Sequence, residues 1–178
     1  MGFGKAFLLS LVAFVGLNFL FTILYYSLSP LVEFDDLFST IEAAPLMILY
    51  YLFGSILSFP FYNFNWVIIT PILNENTDYL VLGLGYLIAP LVAAILAGHF
   101  GESKVQCFSG WLLTAVISSV VLIIVALLGL SQTLQNTLET TYGWTSEDAI
   151  LTNALISCLI NFVFYSFFAL IMFKTEYY

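Results

Sequence analysis

The sequence contains no arginine, three lysines and one histidine, and only 8% of its 178 residues are charged. A soluble domain of this size runs near a quarter charged, because charged side chains cover its surface. With 62% hydrophobic residues, this chain lacks the polar groups to cover itself in water, and lipid is its expected solvent. A soluble enzyme, a disordered tail and a disulfide-stapled secreted fold are excluded together.

Each further shortage removes a class of function. Nucleic acid, anionic headgroups and phosphorylated substrates favour clustered Lys and Arg. Against a net charge of -8, three scattered lysines supply no such cluster, so no nucleic-acid partner is expected. The two cysteines, Cys107 in a polar loop and Cys158 in an apolar segment, read as ordinary reduced thiols. His99 has only Glu102 at a suitable spacing, which is two ligands at most, so no metal or other cofactor is expected.

What the chain has in abundance is long apolar runs. The first, about 6–29, would make ~36 Å of helix, too long for a signal-peptide core, and is expected to remain as a span. Segments of about 80–99, 111–130 and 149–173 are also long enough to cross a bilayer. The region 46–70 is uncharged but does not form one clean helix. Pro60 removes an amide donor there, and Asn63 and Asn65 carry amides that are costly to leave facing lipid. The fold class is therefore an all-α integral membrane protein. It is a small polytopic helical bundle of four full transmembrane helices plus a broken or re-entrant segment, in one domain over 1–178 with no soluble domain.

A five-span alternative has region 46–70 cross once. Lys5 then faces one side of the membrane, and Lys104 and Lys174 the other. If the region enters and returns, all three lysines face the cytoplasm, which the positive-inside rule favours. Glu33, Asp35, Asp36, Glu42, Glu75, Asp78, Glu139, Glu147 and Asp148 then lie outside, and only Glu102 and Glu176 inside. The expected location is the cell membrane, with both termini cytoplasmic and the acidic loops outside.

The connections carry placement signals. Leu31, Phe34, Leu37, Phe38 and Ile41 recur at helical spacing among acids, as in a short interfacial helix. Segment 132–143 repeats this weakly through Leu134, Leu138 and Tyr142. Thr145 is the expected N-cap of the last span, with Glu147 and Asp148 in its first turn. Trp66, Trp111, Trp144 and many tyrosines near the span ends fit an aromatic belt.

Small and polar residues inside the spans complete the picture. Gly85, Ala89, Ala93 and Ala97 fall four apart, as do Gly110, Thr114 and Ser118, and the two stripes are expected to pack those helices on each other. Pro90 is expected to kink the first of them. Asn153, Ser157 and Asn161 share one face of the last span, and Asn18 sits in the first. With Asn63 and Asn65, these amides either bond helices together, at ~0.6 kcal/mol each, or line a polar pathway beside a broken segment.

No Asp, Glu, Lys or Arg lies well inside any span, which argues against proton relays and ion-coupled pumping. Ser118 and Ser119 have no histidine at a matching depth, so no enzyme is expected. The outer acids Asp35, Asp36, Glu75 and Asp78 read as a solvated surface rather than a cation patch. The expected function is a non-enzymatic, transport-associated component for a small neutral solute. It would act in a homo-oligomer or with other membrane subunits. The alternative is a structural or assembly subunit of a larger membrane complex.

Overall fold

The computed structural model describes residues 2–127 and 132–173, and every regular element among them is helical. In chain order these are α1 (Gly2–Leu28), α2 (Phe34–Ala43), α3 (Met47–Phe53), α4 (Pro60–Phe64), α5 (Thr70–Asn74), α6 (Leu80–Phe100), α7 (Lys104–Leu127), α8 (Gln132–Tyr142) and α9 (Glu147–Ile171). A 3-10 turn at Gly54–Leu57 extends α3, and a π turn at Asn65–Ile69 joins α4 to α5. Helices α1, α6, α7 and α9 are long and apolar enough to cross a membrane.

These helices are built inside out relative to a soluble bundle. The buried face of α1 is Gly2, Ala6, Ser10, Phe14, Asn18, Thr22 and Tyr25, mostly small or polar. Leu8 and Val12 on the other face are 57% and 61% exposed. In α9, Ala154, Ser157, Asn161 and Ala169 turn inward while Leu159, Val163 and Phe167 turn out. In a membrane, where lipid tails are as apolar as leucine, close approach and interhelical hydrogen bonds rather than hydrophobic burial would hold such helices together.

The contacts fix an up-and-down order. Gly85 of α6 lies against Phe21 of α1, and Gly2 lies against Glu102 and Gln106, so α1 and α6 run antiparallel. Helix α7 runs back alongside α1. A Cβ on Gly110 would stand 3.2 Å from the Ala6 Cβ, and Thr114 donates to Ser10 at 3.1 Å. The indole of Trp111 donates to the Phe162 carbonyl at 3.2 Å, which ties α7 to an antiparallel α9. At the foot of the bundle Gly98 is pressed against the backbone of Ala169. The start of α1, the α6–α7 turn and the end of α9 therefore share one end.

The small-residue stripes meet α1 more than each other. Gly85 faces Phe21, while Gly110 and Thr114 face Ala6 and Ser10. Ala89, Ala93 and Ala97 are fully buried, and Ser118 returns its hydroxyl to the Thr114 carbonyl at 2.7 Å. Helix α6 continues through Pro90 to Phe100. The chain enters α7 at Lys104, before the expected 111, and Cys107 is fully buried in its first turn with Sγ donating to the Gly98 carbonyl at 3.3 Å. Cys107 is thus a packing residue and not a loop residue. Lys174, Glu176 and positions 128–130 of the expected spans lie outside the described residues.

The connecting helices cap the far end. Glu33 and Asp36 form a reciprocal capping box at the start of α2, which buries Leu37. Helix α8 buries Leu134 and Leu138, and Gln135 donates to the Ala126 carbonyl at 2.8 Å. The N-cap of α9 is Ser146, one position after the expected Thr145, and it accepts from the Ala149 amide at 3.2 Å.

Between α2 and α6 the chain makes a bent pair. The stretch Met47–Leu57 meets Pro60–Asn74 at 93°. Pro60 occupies the first turn of α4 after the extended Phe59, where the missing N–H is no loss, and Pro71 lies in α5, which follows the π turn directly. Pro60 therefore starts a helix after the break. Tyr51 pairs with Tyr26 near the end of α1, and Trp66 stacks on Tyr79 beside the start of α6. Both arms thus point to the end of the bundle opposite Gly2. The break between them descends to Asn161, about 12 Å above the level of Ala169 along α9.

Candidate functional site: the break and a tyrosine-lined cavity

The break at Ser58 and Phe59 interrupts the helical hydrogen-bond ladder and leaves carbonyls without backbone donors. The Asn161 side-chain amide supplies them. Its Nδ2 reaches the carbonyls of Ile56 at 3.0 Å, Ser58 at 2.9 Å and its own helix's Ser157 at 3.0 Å. Ser58 Oγ donates to Asn63 Oδ1 at 2.6 Å, which closes the turn from within. Ser58, Asn63, Ser157 and Asn161 are all fully buried. Protein encloses this irregular backbone, the condition under which a membrane would tolerate it.

Two of the candidate amides, Asn63 and Asn161, thus meet at one point, with Ser157 beside them. The others do not join them. Asn18 spends its Nδ2 on the Phe14 carbonyl at 2.8 Å within α1. Asn153 does the same to Ala149 at 2.8 Å. Asn65 is half-buried in the π turn. Around the break, Asn63 Nδ2, Asn161 Oδ1, Ser55 Oγ and Ser157 Oγ are buried with no hydrogen-bond partner.

Above the break lies a cavity of about 370 Å³. Its walls come from α1, α2, α3, the π turn, α6 and α8. Tyr25, Tyr26, Tyr50, Tyr51, Tyr79, Tyr86 and Trp66 supply aromatic surface, and Thr22, Thr40, Thr133, Thr137 and Thr141 supply hydroxyls. The lining residues include no charged side chain. Tyr86 donates to Tyr50 at 3.3 Å, and the Tyr26 and Tyr51 hydroxyls lie 3.1 Å apart. The exposed Tyr79 and Thr141 stand at the rim.

A second cavity of about 330 Å³ lies beside the first. Trp66 and Thr141 line both, and Asn153, Tyr62, Tyr142 and Trp144 line the second. The Tyr142 phenol, in α8, is pushed well above its ordinary value, chiefly by burial and then by Tyr50. It stays neutral over the physiological range.

The aromatic belt expected from residues near the span ends does not describe these tyrosines, which converge on the cavity instead. The doublets Tyr25-Tyr26 and Tyr50-Tyr51, together with threonines at 133, 137 and 141, carried the missed signal. Thr133, Thr137 and Thr141 recur four apart on α8 and line the cavity, with Thr137 Oγ1 donating to the Thr133 carbonyl at 2.8 Å. The chain matches no known protein family, curated protein sequence or solved structure.

Proposed function

We propose that the protein is a non-enzymatic, multi-pass component of the cell membrane that admits a small neutral solute to the tyrosine–threonine cavity. It acts in an oligomer or with other membrane subunits. The lining of the cavity carries this reading. Its side-chain polar atoms are hydroxyls and one indole N–H, with no charge among the lining residues. Hydroxyls both donate and accept, so they suit a neutral hydrogen-bonding solute, whereas an ion would shed its hydration with no countercharge to meet it.

In this reading the segment 46–70 is re-entrant, with four full spans. Support comes from its two arms, which pair with Tyr26 and Tyr79 at the same end of the bundle. The end carrying Lys5 and Lys104 is cytoplasmic by the positive-inside rule, and the cavity opens to the outside. Tags on the two termini are expected on the same side of the membrane in intact cells. Tags on opposite sides would sink the re-entrant topology.

The functional test is flux. Purified protein in liposomes is expected to raise glycerol permeability in stopped-flow light scattering, and Thr137→Trp, which fills the cavity, to abolish the gain. A second reading, a subunit of a larger membrane complex, is favoured by an apolar groove around Phe61, which is 74% exposed. Permeability equal to empty liposomes, with the protein recovered only in a large assembly, would select that reading.

A further inference from the structure

Three cavities stand in a row along the broken segment. The tyrosine–threonine cavity and the Asn153 cavity share Trp66 and Thr141 as a common wall. The Asn153 cavity in turn shares Phe59 and Tyr62 with a third, a groove of about 490 Å³ completed by Pro60, Phe61, Phe64, Ile160 and Phe164. The chemistry changes stepwise along this row. Hydroxyls dominate the first cavity, an amide and aromatic edges the second, and hydrocarbon the third.

The groove lies on the outward face of α4 and α9. Phe61 is 74% exposed, Ile160 41% and Phe164 38%. A lipid-facing groove by itself would hold an ordinary annular chain. This one differs because its inner wall, Phe59 and Tyr62, is also the wall of a polar chamber. Within that chamber Asn153 commits Nδ2 to the Ala149 carbonyl, and its Oδ1 has no partner among the described residues. It is an acceptor set at the boundary between hydrocarbon and hydroxyls.

We propose that this row binds a single-chain amphiphile from the bilayer. Its neutral, hydroxyl-bearing head occupies the Asn153 cavity, and its hydrocarbon chain lies along the groove formed by Phe61, Ile160 and Phe164. The inference deepens the solute reading above and rests on it, since the head has the chemistry assigned to that solute. Phosphate-bearing lipids are disfavoured, because none of the residues lining the row is cationic. One groove beside one chamber accepts one chain.

The test uses the full-length protein in nanodiscs and a monoacylglycerol with a photoactivatable chain. Crosslinked peptides are mapped by mass spectrometry. Labelling is expected to concentrate on residues 59–64 and 160–164, and to saturate. Unlabelled monoacylglycerols should compete, with potency rising about fourfold per methylene until the groove is filled. Ile160→Trp, at a lipid-facing position, should remove the labelling while leaving the unfolding midpoint unchanged. Asn153→Leu should weaken competition by the glyceryl head and leave a headless alkane unaffected. Labelling spread evenly over the lipid-facing helices, or competed equally by free glycerol, would overturn the proposal. If glycerol flux persists in that case, the small-solute reading stands without the amphiphile. If flux is absent as well, both fall.

Discussion

Asn161 of α9 hydrogen-bonds the carbonyls of Ile56 and Ser58 with one amide group, across more than a hundred positions of sequence. The last helix thereby holds the turning point of the broken segment. Two elements that share no helix ladder are thus hydrogen-bonded through a fully buried side chain.

Asn161→Leu is expected to strip two carbonyls of their donor and to cost about 1–3 kcal/mol. Asn161→Asp should cost more, because it sets carboxyl oxygens against carbonyl oxygens in a buried site. Unfolding in mixed micelles measures both. A leucine variant as stable as the parent would show that the break needs no partner.

The glycines include tightly packed and open positions. Gly98→Ala drives a methyl into the Ala169 backbone, and Gly85→Ala drives one into Phe21. Overpacking of this kind costs about 1–3 kcal/mol. Gly4 and Gly16 meet nothing within 4 Å, so alanine there should be neutral or stabilising by up to about 1 kcal/mol. The same micelle unfolding series, run on all four variants, checks the ordering.

Tyr50→Phe and Tyr86→Phe each remove one side of a buried hydroxyl pair at 3.3 Å. Each single change is expected to cost about 1 kcal/mol, and the double change less than the sum. If these hydroxyls also contact the solute, glycerol flux falls about fivefold in either single variant. Strict additivity of the two changes would argue that the pair does not interact.

The pH dependence follows from Tyr142. Burial raises its phenol, so the neutral form, which dominates below the pKa, persists to higher pH than for a free tyrosine. Solute flux is therefore expected to stay flat from about pH 6 to 9, with no loss as alkali approaches the ordinary tyrosine range. A fall centred near neutrality would require an ionisable group in the path.

Much of the scaffold was legible in the residues. Uncharged runs long enough to span a bilayer announced α1, α6, α7 and α9, and apolar residues at helical spacing announced α2 and, more weakly, α8. Pro60 and the neighbouring amides marked the broken segment because the proline removes an amide donor and the amides are costly to leave facing lipid. The partners of the small-residue stripes were not legible. A glycine face says that something packs closely, and only the three-dimensional order reveals that α1 fills both grooves. Asn153 and Asn161 looked equivalent on one helix face, yet eight residues of rise separate a cavity wall from the break. The tyrosine cavity escaped for a related reason. Aromatics near span ends are common enough as anchors that their convergence from several elements leaves no pattern along the chain.

The dependence of the break on Asn161 also sets an order in time. When synthesis has progressed only through α6, the carbonyls of Ile56 and Ser58 already exist, and the amide that satisfies them is still to be made. Unsatisfied carbonyls in hydrocarbon cost several kcal/mol each. Under the re-entrant topology proposed above, segment 46–70 is expected to wait at the membrane surface until α9 has been made, so a region made early would be the last to reach its place.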